Sequence, residues 1–411
     1  MKDTFFTGVK EKNKSYKFKS FLDDCEFFSC AECSCDRIIP TFLDEAFTLS
    51  IMQSNVSKIY NIDGKLYYYF SNGYLYEGNG NVLKKVTENK FLSVPILLKA
   101  PRNFGDSILI IDEKSALVRG EFNGNVYLPK GQEYLIYEDT VFLFDKNSLF
   151  FDCHVDDNFL LKDDFFGRID VSNHLGNIVH LEVVENKLIV FCEYGISTLS
   201  ILEDKKDYKL TDTVSLPLSI RENSIKRIGD ECYFICGKKL CKYKGDKFNF
   251  VPFFFEEKDY TIIGKSFCID DLYCLPISYN SSNYVYEYST LTENQKIAEL
   301  SGKLYADGGY LYDVSHRKIL KLEEGVNQLF TWKSKKIDFG TMANKFISSI
   351  CILGEGYFNV TLNNGVESKN YVVYANKELL RLNFQAISFT ITVTSLTMNS
   401  CIDEIRINYN E

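Results

Sequence analysis

The chain has 411 residues, 45% of them hydrophobic and 25% charged, with a formal net charge of −9. Those proportions are globular, and the length allows one large β domain with an appendage, or two to three smaller domains. The acidic balance argues against a surface that holds DNA or anionic lipid tightly, and 7 Pro with 24 Gly exclude a fibrous or disordered chain.

Aromatics are abundant, with 33 Phe and 27 Tyr, and such side chains suit a pleated, half-buried surface. The opening residues Met1–Gly8 lack the apolar stretch of a secretion signal, and no run approaches the roughly eighteen apolar residues of a membrane span. The expectation is a chain made and kept in a cytosol, with no membrane insertion. Its 13 cysteines fall mostly inside strand-like segments (Cys192, Cys232, Cys236, Cys268, Cys274, Cys351). In a reducing compartment such cysteines are small buried hydrophobes rather than a disulfide framework.

Residues 1–50 read as an N-terminal arm. Lysines cluster at its start (Lys2, Lys10, Lys12, Lys14, Lys17, Lys19), as in a solvated tail or a flexible docking arm. Cys25, Cys30, Cys33 and Cys35 follow. Their C-x4-C-x2-C order matches the first three ligands of a plant-type iron–sulfur site, but the next cysteine is Cys153, too distant for the fourth. Zinc would have to accept Cys33 and Cys35 one residue apart, an awkward bite for a tetrahedron. Free, metal-poor thiols are expected. Thr41 to Ser54 is the best helix candidate, a short amphipathic stretch.

From Ser57 the chain becomes short apolar–polar alternations split by turn residues. Lys58–Ile62 leads to Asp63-Gly64, Lys65–Phe70 to Asn72-Gly73, then Tyr74–Tyr76. Such dipeptides supply the positive φ of tight hairpins, so this is an antiparallel meander. Further sets begin near Ser107, Tyr134, Ile178, Ile225, Thr261 and Lys303. Their spacing of roughly forty to fifty residues, with room for three or four strands each, is that of propeller blades. Residues 51–330 therefore predict a β-propeller of six or seven blades; a pair of β-sandwiches fits the same strand density.

No catalytic constellation stands out, and no catalytic, cofactor-binding or metal-ligating residue is assigned. Gly264-Lys265-Ser266 resembles the tail of a phosphate loop, but the position five residues before Gly264 is Asp259 and a strand-like run follows, so a hairpin turn is expected. The acidic run Asp152, Asp156, Asp157, Asp163, Asp164 and Asp170 lacks a regular calcium-loop spacing and reads as a solvated loop. His154, His174, His180 and His316 belong to no catalytic signature. A glycosidase-type carboxylate pair across the propeller centre remains open. The aromatic run Phe248–Phe255, broken by Pro252, reads as core, or as an exposed edge meeting a neighbouring subunit.

Near residue 330 the texture changes. Thr331-Trp332-Lys333-Ser334-Lys335-Lys336-Ile337-Asp338-Phe339-Gly340 contains the only tryptophan, and longer alternating strands follow: Phe346–Ile352, Tyr357–Leu362 and Ser388–Thr394. Residues 331–411 predict a compact β-sandwich, with Asn363-Asn364-Gly365 as a hairpin turn and a linker near Trp332 that few contacts cross. The Trp-x-Ser-x-x-Ile-Asp-Phe-Gly lead-in resembles the C-terminal module that closes phage tail β-propellers, including short-tail nozzle (tail tubular) proteins. So do the stretches Arg381–Phe384 and Ser388–Ile391 and the terminal Ile402-x-x-Ile405-x-Ile407-x-Tyr409. The resemblance covers about a fifth of the chain.

It implies a non-enzymatic virion structural protein of nozzle or adaptor type. Such a protein forms a homo-oligomeric ring around the DNA exit channel, contacts other tail or portal proteins, and needs no cofactor. A wall that DNA slides past should be acidic or neutral, in keeping with the net charge. A receptor- or glycan-binding tail propeller is the alternative, and a propeller hydrolase the third reading.

Overall fold

The computed structural model describes residues 14–18, 25–29, 31–33, 38–48, 56–78, 82–113, 115–137, 140–152, 166–201, 208–293, 295–300, 304–307, 310–313, 318–324 and 329–410. Asp63 and Gly64 adopt φ of 51° and 78°, the left-handed pair that folds Val56–Ile62 back onto Lys65–Phe70. Leu75–Glu77 and Lys84–Lys85 complete this first four-stranded antiparallel sheet. Four further meanders of the same order follow. They comprise Ile96–Lys99, Ser107–Ile111, Ala116–Gly120 and Gly124–Val126; then Glu133–Tyr137, Thr140–Asp145, Ser148–Asp152 and Phe166–Asp170; then Ile178–Val184, Lys187–Cys192, Gly195–Ile201 and Tyr208–Ser215; and last Lys226–Ile228, Glu231–Cys236, Lys239–Lys244 and Lys247–Phe250.

The sixth sheet is irregular on its inner side. Tyr260–Ile262 and Phe267–Ile269 both pair with Leu272–Tyr279, which continues into Ser282–Ser289 and Gln295–Leu300. The seventh is made from both ends of the propeller sequence. Leu304–Asp307, Tyr310–Asp313 and Lys318–Glu324 form a meander whose outer strand is Ile38–Thr48. Leu304–Asp307 also lies beside Val56–Ile62, the first strand of the first sheet, so the ring of sheets is closed. The protein is a seven-bladed β-propeller.

Burial follows from this geometry. In the first six blades the second strand (Lys65–Phe70, Ser107–Ile111, Thr140–Asp145, Lys187–Cys192, Glu231–Cys236 and Leu272–Tyr279) is covered on both faces, so it reads as a continuous buried run rather than a strict alternation. In Lys187–Cys192, Leu188 and Val190 pack toward the third blade with Phe142 and Leu149, while Ile189 and Phe191 pack toward the fifth with Phe234 and Tyr243. Cys192, Cys232, Cys236 and Cys274 are buried thiols outside any disulfide, and Cys268 and Cys351 are partly buried. Phe253, Phe254 and Phe255 are also core residues, although Phe250 remains 53% exposed.

After the seventh blade the chain forms a sandwich of two antiparallel sheets. One has the order Cys25–Ser29, Thr331–Ser334, Thr390–Ser395, Tyr357–Asn363 and Ser368–Tyr374. The other has Glu378–Ala386, Lys345–Glu355, Cys401–Asn410 and Lys14–Lys17. Each residue of the lead-in noted in the sequence has a structural task. Trp332 is fully buried, with the Phe18 ring edge-on at 4.9 Å. Ser334 Oγ accepts the Ile391 N–H at 2.9 Å, and Ile337 exchanges two backbone hydrogen bonds with Phe389. Asp338 Oδ1 accepts the Gly340 N–H at 2.8 Å, Phe339 stacks on Tyr409 at 4.0 Å, and Gly340 supplies φ of 72°. The following turn is held by Lys345, whose buried ammonium donates to the carbonyls of Thr341, Ala343 and Ile387 at 2.7 to 2.9 Å.

Three expectations need correction. The helix candidate Thr41–Ser54 is, over its described part, the outer strand of the seventh blade, because an open sheet edge there demands a partner. The N-terminal arm is not a separate unit: Lys14–Lys17 and Cys25–Ser29 belong to the sandwich, Ala31–Cys33 extends the sixth blade and Ile38–Thr48 the seventh. Few contacts were expected across the linker near Trp332. Instead one apolar cluster runs from Tyr233, Phe255 and Tyr286 of the blades to Trp332, Ile391 and Ile405 of the sandwich.

Trp332→Ala should therefore destabilise the protein by about 3–5 kcal/mol, the usual cost of emptying a large aromatic site. Equilibrium urea unfolding, followed by far-UV circular dichroism, measures it. A single transition at lower urea is expected, since the sandwich and the blades share one core.

Candidate functional site at the propeller axis

The blades bring together charged groups that are distant in sequence. Glu133 begins the inner strand of the third blade. His180 lies on the inner strand of the fourth, directly after a bulge between Ile178 and His180 that re-aims the chain. Glu182, two residues on, shares a strand face with His180. Lys265 comes from the far side of the ring, and the cause of its position is Pro276. A proline offers no N–H to the ladder, and opposite it the inner strand of the sixth blade breaks between Ile262 and Phe267. The interrupting residues carry Lys265 toward the axis.

There Lys265 Nζ stands 3.1 Å from Glu133 Oε1, an ion pair between the sixth and third blades. Glu133 also receives His180 Nδ1 at 2.7 Å and the Leu181 N–H at 3.3 Å. On the other side of the imidazole, Nε2 stands 3.7 Å from Glu182 Oε2. His180 is buried, with 7% of its surface exposed. Burial disfavours the imidazolium, yet the flanking carboxylates win and raise the His180 pKa above its ordinary value. Burial would likewise raise Glu133, but His180 and Lys265 outweigh it and hold its carboxyl at about 2. Glu182 is also lowered against its burial, by His180 and by Lys226 of the fifth blade.

This network forms one wall of a cavity of about 620 Å³ at the axis. Lys58, Lys146, Glu193, Glu222 and Asn223 stand around it, with apolar ground from Ile96 and Ile178. No serine, threonine, cysteine or tyrosine is in the lining. Among the described residues, the cavity therefore offers hydrogen-bond donors and acceptors of both charges but no hydroxyl or thiol nucleophile. Nor do three His, Cys, Asp or Glu side chains gather anywhere among the described residues as a metal site.

Of the described residues singled out from sequence, the structure brings His180 and Lys265 together on Glu133. Gly264-Lys265-Ser266 is an interruption within a strand edge rather than the hairpin turn expected; Ser266 N donates to the Asn223 carbonyl at 2.7 Å. His174 is a surface residue 3.8 Å from Asp212. Asp170 is held by Ser148 and Arg168. His154, His316, Asp156, Asp157, Asp163 and Asp164 lie outside the described residues, as do Cys30, Cys35 and the side chains of Cys25 and Cys33. Glu133 was missed, because its partners are 47 and 132 positions away. The available signals were weak: a His and a Glu two apart in the otherwise apolar Ile178–Val184, and Pro276 inside a strand.

No family model and no curated protein matches the chain. Among solved structures it is similar to the computationally designed Ika8 protein, at 10% identity and TM-score 0.39 over 68% of this chain and 99% of the other. It is also similar to BamB from Moraxella catarrhalis, at 9% identity and TM-score 0.41 over 75% of this chain and 98% of the other.

The network makes stability depend on pH in two directions. Glu133 is depressed from 4.5, so its contribution is complete above that pH and lost as the pH falls toward 2. His180 is raised from 6.5, so its contribution is complete below that pH and lost as the pH climbs through its raised value. Glu133→Gln should cost about 3 kcal/mol near pH 5.5, where both groups are charged, because it strands a buried imidazolium. Urea titrations across pH should show this gap closing both in strong acid and in alkali.

Proposed function

We propose that the protein is a structural component of a phage tail, of nozzle or adaptor type, that assembles with further copies of itself into a ring around the DNA path. The observation that carries this reading is the uncovered side of the sandwich. The opposite side is finished by the strands Lys14–Lys17 and Cys25–Ser29. On the open side, Ser368–Tyr374 pairs only with Tyr357–Asn363 and Glu378–Ala386 only with Lys345–Glu355 among the described residues. Val366, Val372, Tyr374 and Leu380 are exposed there, Val366 at 96% and Leu380 at 63%. Proteins that work alone blunt such edges with charge, proline or a covering segment. This edge carries Lys369, Glu378 and Arg381, but the exposed apolar side chains among them suit a strand or sheet from a neighbour.

The propeller axis supports the same arrangement. A lumen spanned by the Lys265–Glu133 pair cannot pass a duplex, so the DNA path is the space enclosed by several chains, and each disc forms part of the wall. The acidic net charge favours sliding over retention. No described helix is long and apolar enough to cross a membrane.

Electron microscopy and native mass spectrometry of the purified protein should give rings of one stoichiometry. The pair Val372→Lys and Leu380→Lys should reduce them to monomers with an unchanged circular dichroism spectrum, since exposed substitutions cost within about 0.5 kcal/mol each. A protein that stays monomeric at every concentration, alone and with portal or tail partners, would rule the reading out.

A further inference from the structure

The axial cavity is left unused by an assembly role, and its chemistry is that of a binding site. We propose that it binds a carboxylated sugar, a uronic or nonulosonic acid unit of a polysaccharide; the assembly reading can fail without affecting this one. Its volume of about 620 Å³ falls within the range of small-molecule pockets, roughly 300–1,000 Å³. Its lining, however, is not that of an apolar ligand's pocket. Three ammonium groups (Lys58, Lys146, Lys265), three carboxylates (Glu133, Glu193, Glu222) and three carboxamides (Gln132, Asn177, Asn223) surround it. Donors and acceptors in near-equal number fit a ligand whose hydroxyl groups both give and take hydrogen bonds.

The charges choose among such ligands. Lys265 is already committed to Glu133, and Glu193 holds Asn177 through its backbone N–H and side-chain amide at 3.3 Å. Lys146 has no ion-pair partner among the described residues, and Glu222 and the Asn223 side chain likewise stand without one. A ligand carboxylate completes Lys146, and ring hydroxyls donate to Glu222 and meet Asn223. Ile96 and Ile178 give the C–H face of a sugar ring an apolar surface.

The rim is also fixed before any ligand arrives. The Lys146 carbonyl accepts the Ile178 N–H at 2.8 Å, Glu193 N donates to the Asn177 carbonyl at 2.8 Å, and the Asn223 carbonyl accepts from Ser266. These bonds pin the main chain that carries the lining side chains, so little backbone freedom is lost on binding. The Glu133–His180–Lys265 network forms one wall and ties the third, fourth and sixth blades together.

Calorimetry and saturation-transfer NMR on the full-length protein, with glucuronic, galacturonic and N-acetylneuraminic acids as probes and glucose as the neutral comparator, test this. Saturable binding of at least one acid is expected, weaker in high salt and at least about tenfold tighter than glucose. Lys146→Ala and Glu222→Ala, both surface substitutions on pinned turns, should each weaken it about tenfold while leaving the thermal midpoint in place. The proposal is overturned if none of the three acids binds saturably, if glucose binds as well as they do, or if Lys146→Ala binds them unchanged.

Discussion

A sheet edge is a row of N–H and C=O groups without partners, and the need to cover such edges organises this whole molecule. Thirty-five residues near the N-terminus do most of the covering. Lys14–Lys17 borders one sandwich sheet and Cys25–Ser29 the other, while Ala31–Cys33 borders the sixth blade. Ile38–Thr48 first pairs with Ala31–Cys33 and then supplies the outer strand of the seventh blade. A propeller without that strand would be a ring with a three-stranded last blade. The sandwich, without its two borrowed strands, would be open on both sides. The N-terminal segment thus makes one body of two architectures that the sequence lays end to end.

The blades were legible because each is built locally. Turn dipeptides such as Asp63-Gly64 announce their hairpins, and strands paired with their immediate neighbours need nothing from elsewhere in the chain. The sandwich was legible for a similar reason, in the alternation of Phe358, Val360 and Leu362 with polar residues. Ile38–Thr48 was not, since its partner strand lies about 280 positions further on and its own apolar spacing suits a helix as well as a strand. The expected linker failed on the same ground. Composition changes at Trp332, but a composition change does not reveal that Trp332 packs in a cluster shared with Phe255 and Tyr286. The axial site was invisible because closure of the ring assembles it. Nothing near Glu133 in sequence announces His180 or Lys265, and the two devices that aim them, a bulge and a strand break opposite Pro276, look like defects when read one strand at a time.

Burying His180 between the partly buried Glu133 and Glu182 is costly, and hydrophobic residues of the same size would stabilise the axis at least as well. The arrangement therefore answers to something other than stability. One consequence is register: the Lys265–Glu133 pair joins the sixth blade to the third across the ring, and a closure that separated those blades would take this partner from Glu133. Each ion pair penalises the wrong closure more than it favours the right one.

The order of events in folding gives the two ends of the chain a further link. Lys14 pairs with Tyr409 and Lys17 with Arg406, and Lys17 also meets Glu404 at 2.9 Å. Contacts of such sequence separation carry a loop-closure cost that local hairpins do not, so they form after the blades have condensed. This N-terminal segment is then the last to be placed. Once placed, it cannot leave one sheet alone, since Lys14–Lys17, Cys25–Ser29, Ala31–Cys33 and Ile38–Thr48 follow one another within 35 residues. Release of the sandwich edge pulls on the seventh blade, and opening of the seventh blade pulls on the sandwich. The shared apolar cluster and the shared N-terminal strands thus impose the same all-or-none behaviour, one through packing and the other through the covalent chain.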